Sequence, residues 1–355
     1  MIIYWALFFI PALFSLLEIP SFKTKKLTIS LLVFFVFLIL IIGLRHEVGA
    51  DWDLYILNYE VLIKTGLSGA FSSLSSLVLS PGYQLLCFIS DWIGFGIHGA
   101  NLVGAIFFSL GLYKLCSSLP RPWLGIAIAI PYIVIVTSMG YTRQGMALGF
   151  VMMAYPFLLK GNNLRFILYL FIGATFHPTV LFLLFLPAFL KTTNRLLTIF
   201  LITGFSITIY LFLLASFLEG MFDNYLGSEM GSSGAYIRVF LNAAAGIIFL
   251  FFGRNFFINA YERSALTILS WTSVLFIFAL FLSPSSTAVD RLAIYISPLQ
   301  ILIFSRVPEI FGSYKKQNIF EITSVLLIFF VVNFIWLNYA FHAHHWLPYQ
   351  SILFK

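Results

Sequence analysis

At 355 residues, 61% hydrophobic and 9% charged, the chain has a mean hydropathy of +1.01. Soluble domains carry about 25% charged residues, so this composition excludes water as the main solvent and predicts one polytopic helical bundle over 1–355 with no soluble domain. The net charge of +7 comes without the basic stripe or stacking module that nucleic-acid binding needs, and Cys87 and Cys116 form neither a disulfide framework nor a metal spacing.

The first apolar run, 1–19, lacks a basic leader and is followed by Lys23, Lys25 and Lys26. That charge order is the reverse of a cleavable signal, so an uncleaved helix with its N-terminus outside is expected. A second run covers 27–44. Residues 45–80 are polar and aromatic and read as an outer loop with an interfacial helix. Residues 82–97, opening at Pro81-Gly82-Tyr83, are expected to be re-entrant or interfacial, because a crossing there inverts every later one. Runs at 99–118, 123–139 and 143–159 follow. Residues 164–190 could form one tilted helix of about 40 Å, but two short helices, 164–176 and 178–190, preserve the charge pattern. They would meet at His177-Pro178 within the membrane's depth, where irregular backbone is tolerated only against protein or a wet cavity. His177 is therefore expected at the floor of an outward-facing cavity. Further runs cover 196–216, 237–253, 264–282, 289–305 and 318–339. Between them 217–236, with Gly220, Gly227, Gly231 and Gly234 among serines, reads as a mobile loop, and 342–355 is a tail rich in His and aromatics.

Most of the 20 lysines and arginines sit in six short-loop clusters, from Lys23–Lys26 to Arg306 with Lys315 and Lys316. Placing these clusters in the cytoplasm follows the positive-inside rule and gives about twelve crossings with both termini periplasmic. The exceptions are Arg45, Lys64, Arg143, Arg238, Arg291 and Lys355, and the four arginines among them stand at the outer ends of apolar runs. A guanidinium grips phosphate oxygens through paired hydrogen bonds and an ammonium does not, so four arginines there point to an anionic head group. Asp51, Tyr55 and Tyr59 repeat at i, i+4, i+8 and would share a helical face. With Asp53 nearby, they suit a sugar held by ring stacking and a carboxylate. Arg143 is followed by Gln144 and by small residues that let helices approach closely. Asp290 beside Arg291 offers an alternative structural ion pair, and Tyr295 stands four residues on. Arg238 ends the Gly/Ser loop as a gate or phosphate contact. The tail's Trp346 and Tyr349 read as an aromatic lid. His342, His344 and His345 lack an accompanying acid, so no metal or other cofactor is expected.

Taken together, Arg45…Gly49-Ala50-Asp51…Tyr55, Arg143-Gln144, His177-Pro178, Arg291…Tyr295 and Trp346-Leu347-Pro348-Tyr349 resemble the EpsG-like family of Wzy-type polysaccharide polymerases. The resemblance runs from about Arg45 to Tyr349. Ala50 departs from the Thr or Ser expected there, which puts a hydroxyl contact in doubt and leaves Asp51 intact. The resemblance implies a GT-C-like membrane glycosyltransferase of the bacterial inner membrane, active at its periplasmic face. It would move a growing O-antigen, capsule or exopolysaccharide glycan from undecaprenyl pyrophosphate to a lipid-linked repeat unit, in an inverting, metal-independent displacement. A chain-length regulator is a further implied partner. In that scheme Arg143 and Arg291 hold the pyrophosphate, Arg45 and Arg238 assist, and His177 or Asp51 is the base. An O-antigen ligase and, among non-enzymes, a lipid-linked oligosaccharide transporter are the rival readings.

Overall fold

The computed structural model describes residues 1–18, 25–72, 80–190, 196, 198–207, 234–283, 285–313 and 316–354. Most of the expected Gly/Ser loop at 217–236, together with Lys191, Arg195, Lys315 and Lys355, lies outside them. Among the described residues no strand forms, and helices follow the apolar runs. They begin with α1 (Ile2–Leu17), α2 (Lys25–Gly43), α3 (Trp52–Ser72), α4 (Pro81–Trp92) and α5 (Gly96–Ser117). Next come α6 (Pro122–Ala129), α7 (Thr142–Leu159), α8 (Asn163–Ala174), α9 (Phe185–Phe189) and α10 (Thr198–Ile207). The chain then runs through α11 (Ala235–Phe252), α12 (Ala260–Leu282), α13 (Ser286–Ala293), α14 (Pro298–Phe304), α15 (Val307–Phe311) and α16 (Ile319–Tyr339). Polar side chains start several of them: Asn162, Asn259 and Ser285 accept from the amides of Arg165, Glu262 and Ala288, and Pro122 and Pro298 occupy first positions where no amide bond is lost.

Three breaks shape the bundle. Pro131, which has no amide to donate, opens a π-helical stretch at Ile130–Ser138 that continues α6. A 3-10 turn at Ile294–Ile296 separates α13 from α14, and the chain bends there by 47°. The third break lies at His177, between α8 and a 3-10 segment at Pro178–Leu184. Residues seven apart in a continuous helix are about 10 Å apart along its axis, yet a Cβ on Gly173 would touch Val180 Cγ1 at 3.6 Å. The chain therefore doubles back at His177-Pro178. The segment at 82–97 becomes α4, whose twelve residues reach only about 18 Å, and Gly82 N–H donates to Thr175 O at 2.8 Å.

Among the described residues four helices are long and apolar enough to cross a membrane: α5, α11 with its following turn, α12 and α16; the bent α13–α15 stretch makes a fifth if taken as one span. The expected twelve crossings are not established by these helices, and neither are periplasmic termini. Several other apolar segments, such as Ile2–Leu17 and Asn163–Ala174, give helices of 10–17 residues, short of a hydrocarbon core of about 30 Å. Helices α5 and α7 approach closely: a Cβ on Gly149 would stand 2.6 Å from Phe107 O, and one on Gly111 would collide with Gly149 O.

The α6–π helix runs between two polar ends. At the end opposite the site, Arg121 is fully buried and donates to Glu309 Oε1 at 2.6 Å, Glu18 O at 3.0 Å and Lys316 O at 2.7 Å. Arg306 pairs with Glu262 at 2.9 Å. Two of the arginines that the charge count treats as solvated loop cations are thus internal ties between helices.

Candidate active site

The site grows from the turn after α2. Gly49 has φ +113°, a region that L side chains rarely adopt, and a Cβ there would meet Met139 O at 2.5 Å. The C-terminal tail splints this turn: Gly49 N–H donates to His345 O at 2.9 Å, His46 N–H to Gln350 O at 3.0 Å, and Ile352 N–H to Leu44 O at 3.0 Å. Arg45 and Ser351 complete an isolated antiparallel bridge. Trp346 anchors the splint. Its ring is buried over Gly140, its Nε1–H donates to Ile135 O at 2.8 Å, and its carbonyl accepts from Tyr4 OH at 2.7 Å. Tyr349 OH donates to Ile41 O at 2.9 Å. The expected aromatic lid is instead a strap whose two rings serve the fold.

Arg45 is likewise turned inward. At 2% exposure its guanidinium donates to Ile42 O at 2.5 Å and Thr142 Oγ1 at 2.7 Å. It braces the start of α7, beside Arg143, and does not line the cavity. Arg143 N–H donates to Tyr55 OH at 3.2 Å, and its guanidinium lies over the Tyr55 ring at 5.7 Å. Tyr55 meets Tyr83 of α4 edge-on. Tyr59 donates to Asp91 at 2.5 Å and so turns toward α4, while Asp53 is exposed. Helix α3 begins at Trp52, so Asp51 stands in the turn just before the helix that carries Tyr55 and Tyr59, and of the three only Asp51 reaches the cavity.

That cavity, of about 650 Å³, opens beside the strap. Of the residues expected at the site, Asp51, Arg238, Arg291 and Trp346 line it. Arg143, Gln144, His177 and Tyr295 stand outside the lining, so four guanidiniums do not meet in one pocket. The guanidiniums of Arg291 and Arg143 nevertheless both act on Asp51. Burial holds the Asp51 carboxyl above the ordinary carboxylate range, against the opposing pull of Arg291 and then Arg143. His177 lies in the field of the same two arginines.

The break after α13 sets Arg291 in place. Carbonyls around the break take side-chain donors: Arg291 O from Gln144 at 2.6 Å, Tyr295 O from Tyr155 at 2.9 Å, and Ala293 O from Asn242 at 3.0 Å in addition to the Ser297 amide. Gln300 in turn donates to Asn242 Oδ1 at 2.6 Å. Gln144, paired with Arg143 in the motif that carries the resemblance and read with it as a substrate-binding residue, therefore holds backbone. Tyr295 is fully buried, with its hydroxyl 3.1 Å from His177 Nδ1 and 3.3 Å from Thr179 Oγ1; the latter lies 2.6 Å from the same ring nitrogen. This triad closes the doubled-back hairpin against the helix break.

Arg238 packs its guanidinium 4.9 Å over the Tyr132 ring. Both Asp290 oxygens take its fork, Nε to Oδ1 at 2.7 Å and Nη2 to Oδ2. Asp290 therefore commits itself to a cation on α11 rather than only to its neighbour Arg291. Sequence reasoning missed Tyr132, Tyr141 and Thr287 on the cavity wall. Tyr132 sits inside an unbroken apolar run and carries no polar signal of its own; Pro131, one residue earlier, is the only mark of the break that exposes it.

Chemically, the cavity offers one carboxylate that burial makes more basic, the Arg291 guanidinium that acts on it, and a neutralised Arg–Asp pair, all above an apolar wall. The sequence model of the EpsG family matches residues 28–351, nearly the whole chain. No curated protein and no solved structure matches.

Proposed function

The chain belongs to the EpsG family, polymerase-type membrane proteins of polysaccharide biosynthesis, and we propose from this and the Asp51–Arg291 geometry that it is a glycosyltransferase which polymerises lipid-linked repeat units. The donor is a growing glycan on undecaprenyl pyrophosphate and the acceptor is one lipid-linked repeat unit, both at the periplasmic leaflet of the inner membrane. The acceptor hydroxyl attacks the donor's anomeric carbon, the bond from that carbon to the phosphate oxygen breaks, and undecaprenyl pyrophosphate leaves with the electron pair. The hydroxyl proton passes to Asp51, and a single displacement inverts the anomeric centre.

The observation that carries this reading is Asp51 facing the cavity under the influence of Arg291. A carboxylate made more basic by burial suits a general base, a role worth about 10²–10⁴-fold. Arg291 stabilises negative charge as it grows on the leaving phosphate, by electrostatic preorganisation, with Arg143 behind it. Between the two candidate bases this favours Asp51: His177 is outside the cavity lining and its Nδ1 is engaged by Thr179 and Tyr295. His177 then positions Tyr295 and the helix break.

The test is a reconstituted reaction with defined lipid-linked repeat units, read as a polymer ladder. Asp51→Asn is expected to abolish the ladder, while His177→Ala keeps it at reduced yield. Normal polymer from Asp51→Asn, or loss confined to His177→Ala, would falsify the assignment. Transfer only to a different acceptor would favour a ligase.

A further inference from the structure

The cavity is not uniform. Its inner end carries Asp51, Arg238, Asp290 and Arg291, whereas its flank is apolar and comes from two helices, Ile237 and Leu241 on α11 and Val332 and Ile335 on α16. Those helices do not form a packed pair. Among the described residues α11 packs on α12, α13 and α14, and α16 packs on α1, α6 and the π-helix. The lining residues at this gap are open to the outside: Ile237 is 44% exposed, Ile335 39% and Tyr339 74%, while Tyr132 and Trp346 at the back are buried. Both flanking helices are long and apolar enough to cross a membrane. The exposed apolar faces of helices of this length and composition favour hydrocarbon over water.

We infer that the gap between α11 and α16 is a lateral entrance for a polyprenyl pyrophosphate, whose head enters to the arginines while its tail stays in the bilayer across Ile237 and Ile335. The inference rests on reading the site as one for a lipid-linked pyrophosphate. Two features fix this occupant. About 650 Å³ lies in the range that holds a head group or a drug-sized ligand, and a tail of tens of carbons needs another place. A sealed wall would force that tail out of hydrocarbon, at a cost that rises with every methylene. An apolar sill between two unpaired helices lets the head move sideways while the tail keeps its solvent. The charge is placed to match, since the guanidiniums stand at the deep end and the sill has none.

Full-length protein in phosphatidylcholine nanodiscs, irradiated with a polyprenyl pyrophosphate carrying a benzophenone on its first isoprene units, tests this. Adducts are expected on α11 and α16, competed by unlabelled polyprenyl pyrophosphate and not by phosphatidylglycerol or inorganic pyrophosphate. Ile237→Trp with Ile335→Trp should lower the adduct yield about tenfold, the low end of what one methylene does in a hydrophobic pocket. Leu327→Trp, on an exposed part of α16 outside the lining, should leave it unchanged. If the double Trp variant melts early, Ile237→Phe and Ile335→Phe replace it and should act in the same direction. Adducts concentrated on other helices, or an undiminished yield in a stably folded blocked variant, overturn the entrance. Equal competition by phosphatidylglycerol overturns the polyprenyl assignment in favour of ordinary anionic phospholipid. Specific adducts from a protein that makes no polymer would uphold the entrance and remove the transferase reading.

Discussion

Removing the Asp290 carboxylate probes how the cavity wall is held. Arg238 and Asp290 lie 52 residues apart on α11 and α13, and their side chains are only 9% and 4% exposed. Opposite unit charges about 4 Å apart attract by about 4 kcal/mol at an effective dielectric near 20. Taking away one partner of a buried pair costs about 3–5 kcal/mol, because the other charge stays buried without compensation. Asp290→Ala should therefore lose about 3–5 kcal/mol, or about 6–10 °C in Tm at roughly 2 °C per kcal/mol for a chain of this size. Replacing both residues, Arg238→Met with Asp290→Leu, removes both charges at similar volume and should recover most of the loss. Thermal unfolding in detergent, followed by the monodisperse fraction on size exclusion, measures both variants. An Asp290→Ala protein that melts with the wild type, or a double variant that melts as low as the single one, refutes a buried tie between α11 and α13.

Asp51 as base sets an acid limb on transfer above the ordinary carboxylate value of 3.8. Arg291→Gln removes the larger opposing charge and should push that limb higher; a limb that stays put in a pH–rate profile assigns the titration elsewhere. The linked stability has a definite sign. A carboxyl raised in the fold binds its proton more tightly there than in the unfolded chain, so its contribution is full below the unfolded pKa and fades as pH rises through the folded one. Trp346→Ala should cost about 3–5 kcal/mol through lost packing, whereas Trp346→Phe forfeits chiefly the bond to Ile135 O, about 1 kcal/mol; equal melting shifts would contradict the anchor. Gly149→Ala forces α5 from α7 and should cost at least about 1–3 kcal/mol, with an unchanged melting curve counting against so close a crossing.

The helical class and the reversal at His177-Pro178 were legible because each follows from local chemistry, apolar runs in the first case and a proline with a charge alternation in the second. Asp51 and Arg291 were legible as charges at the ends of apolar runs. The fate of the other arginines was not. Whether Arg238 meets Asp290, or Arg45 meets Thr142 across 97 residues, depends on helix packing that no short window encodes. Trp346 and Tyr349 look amphipathic, as a lid would, and the same chemistry serves a buried ring with one hydrogen bond. The crossing count is not established, for a related reason. Hydropathy finds apolar segments without telling a full span from a half-helix, and here the 3-10 turn at Ile294–Ile296 divides a segment that reads as continuous.

The splint on the Asp51 turn bears on when this protein becomes competent. Residues 345–352 bond the turn at 44–49 across nearly the whole length of the chain, so the corner that carries Asp51 is closed only when the C-terminal tail is present. A chain cut before residue 345 would lack these bonds, and the corner that carries Asp51 would lose its splint.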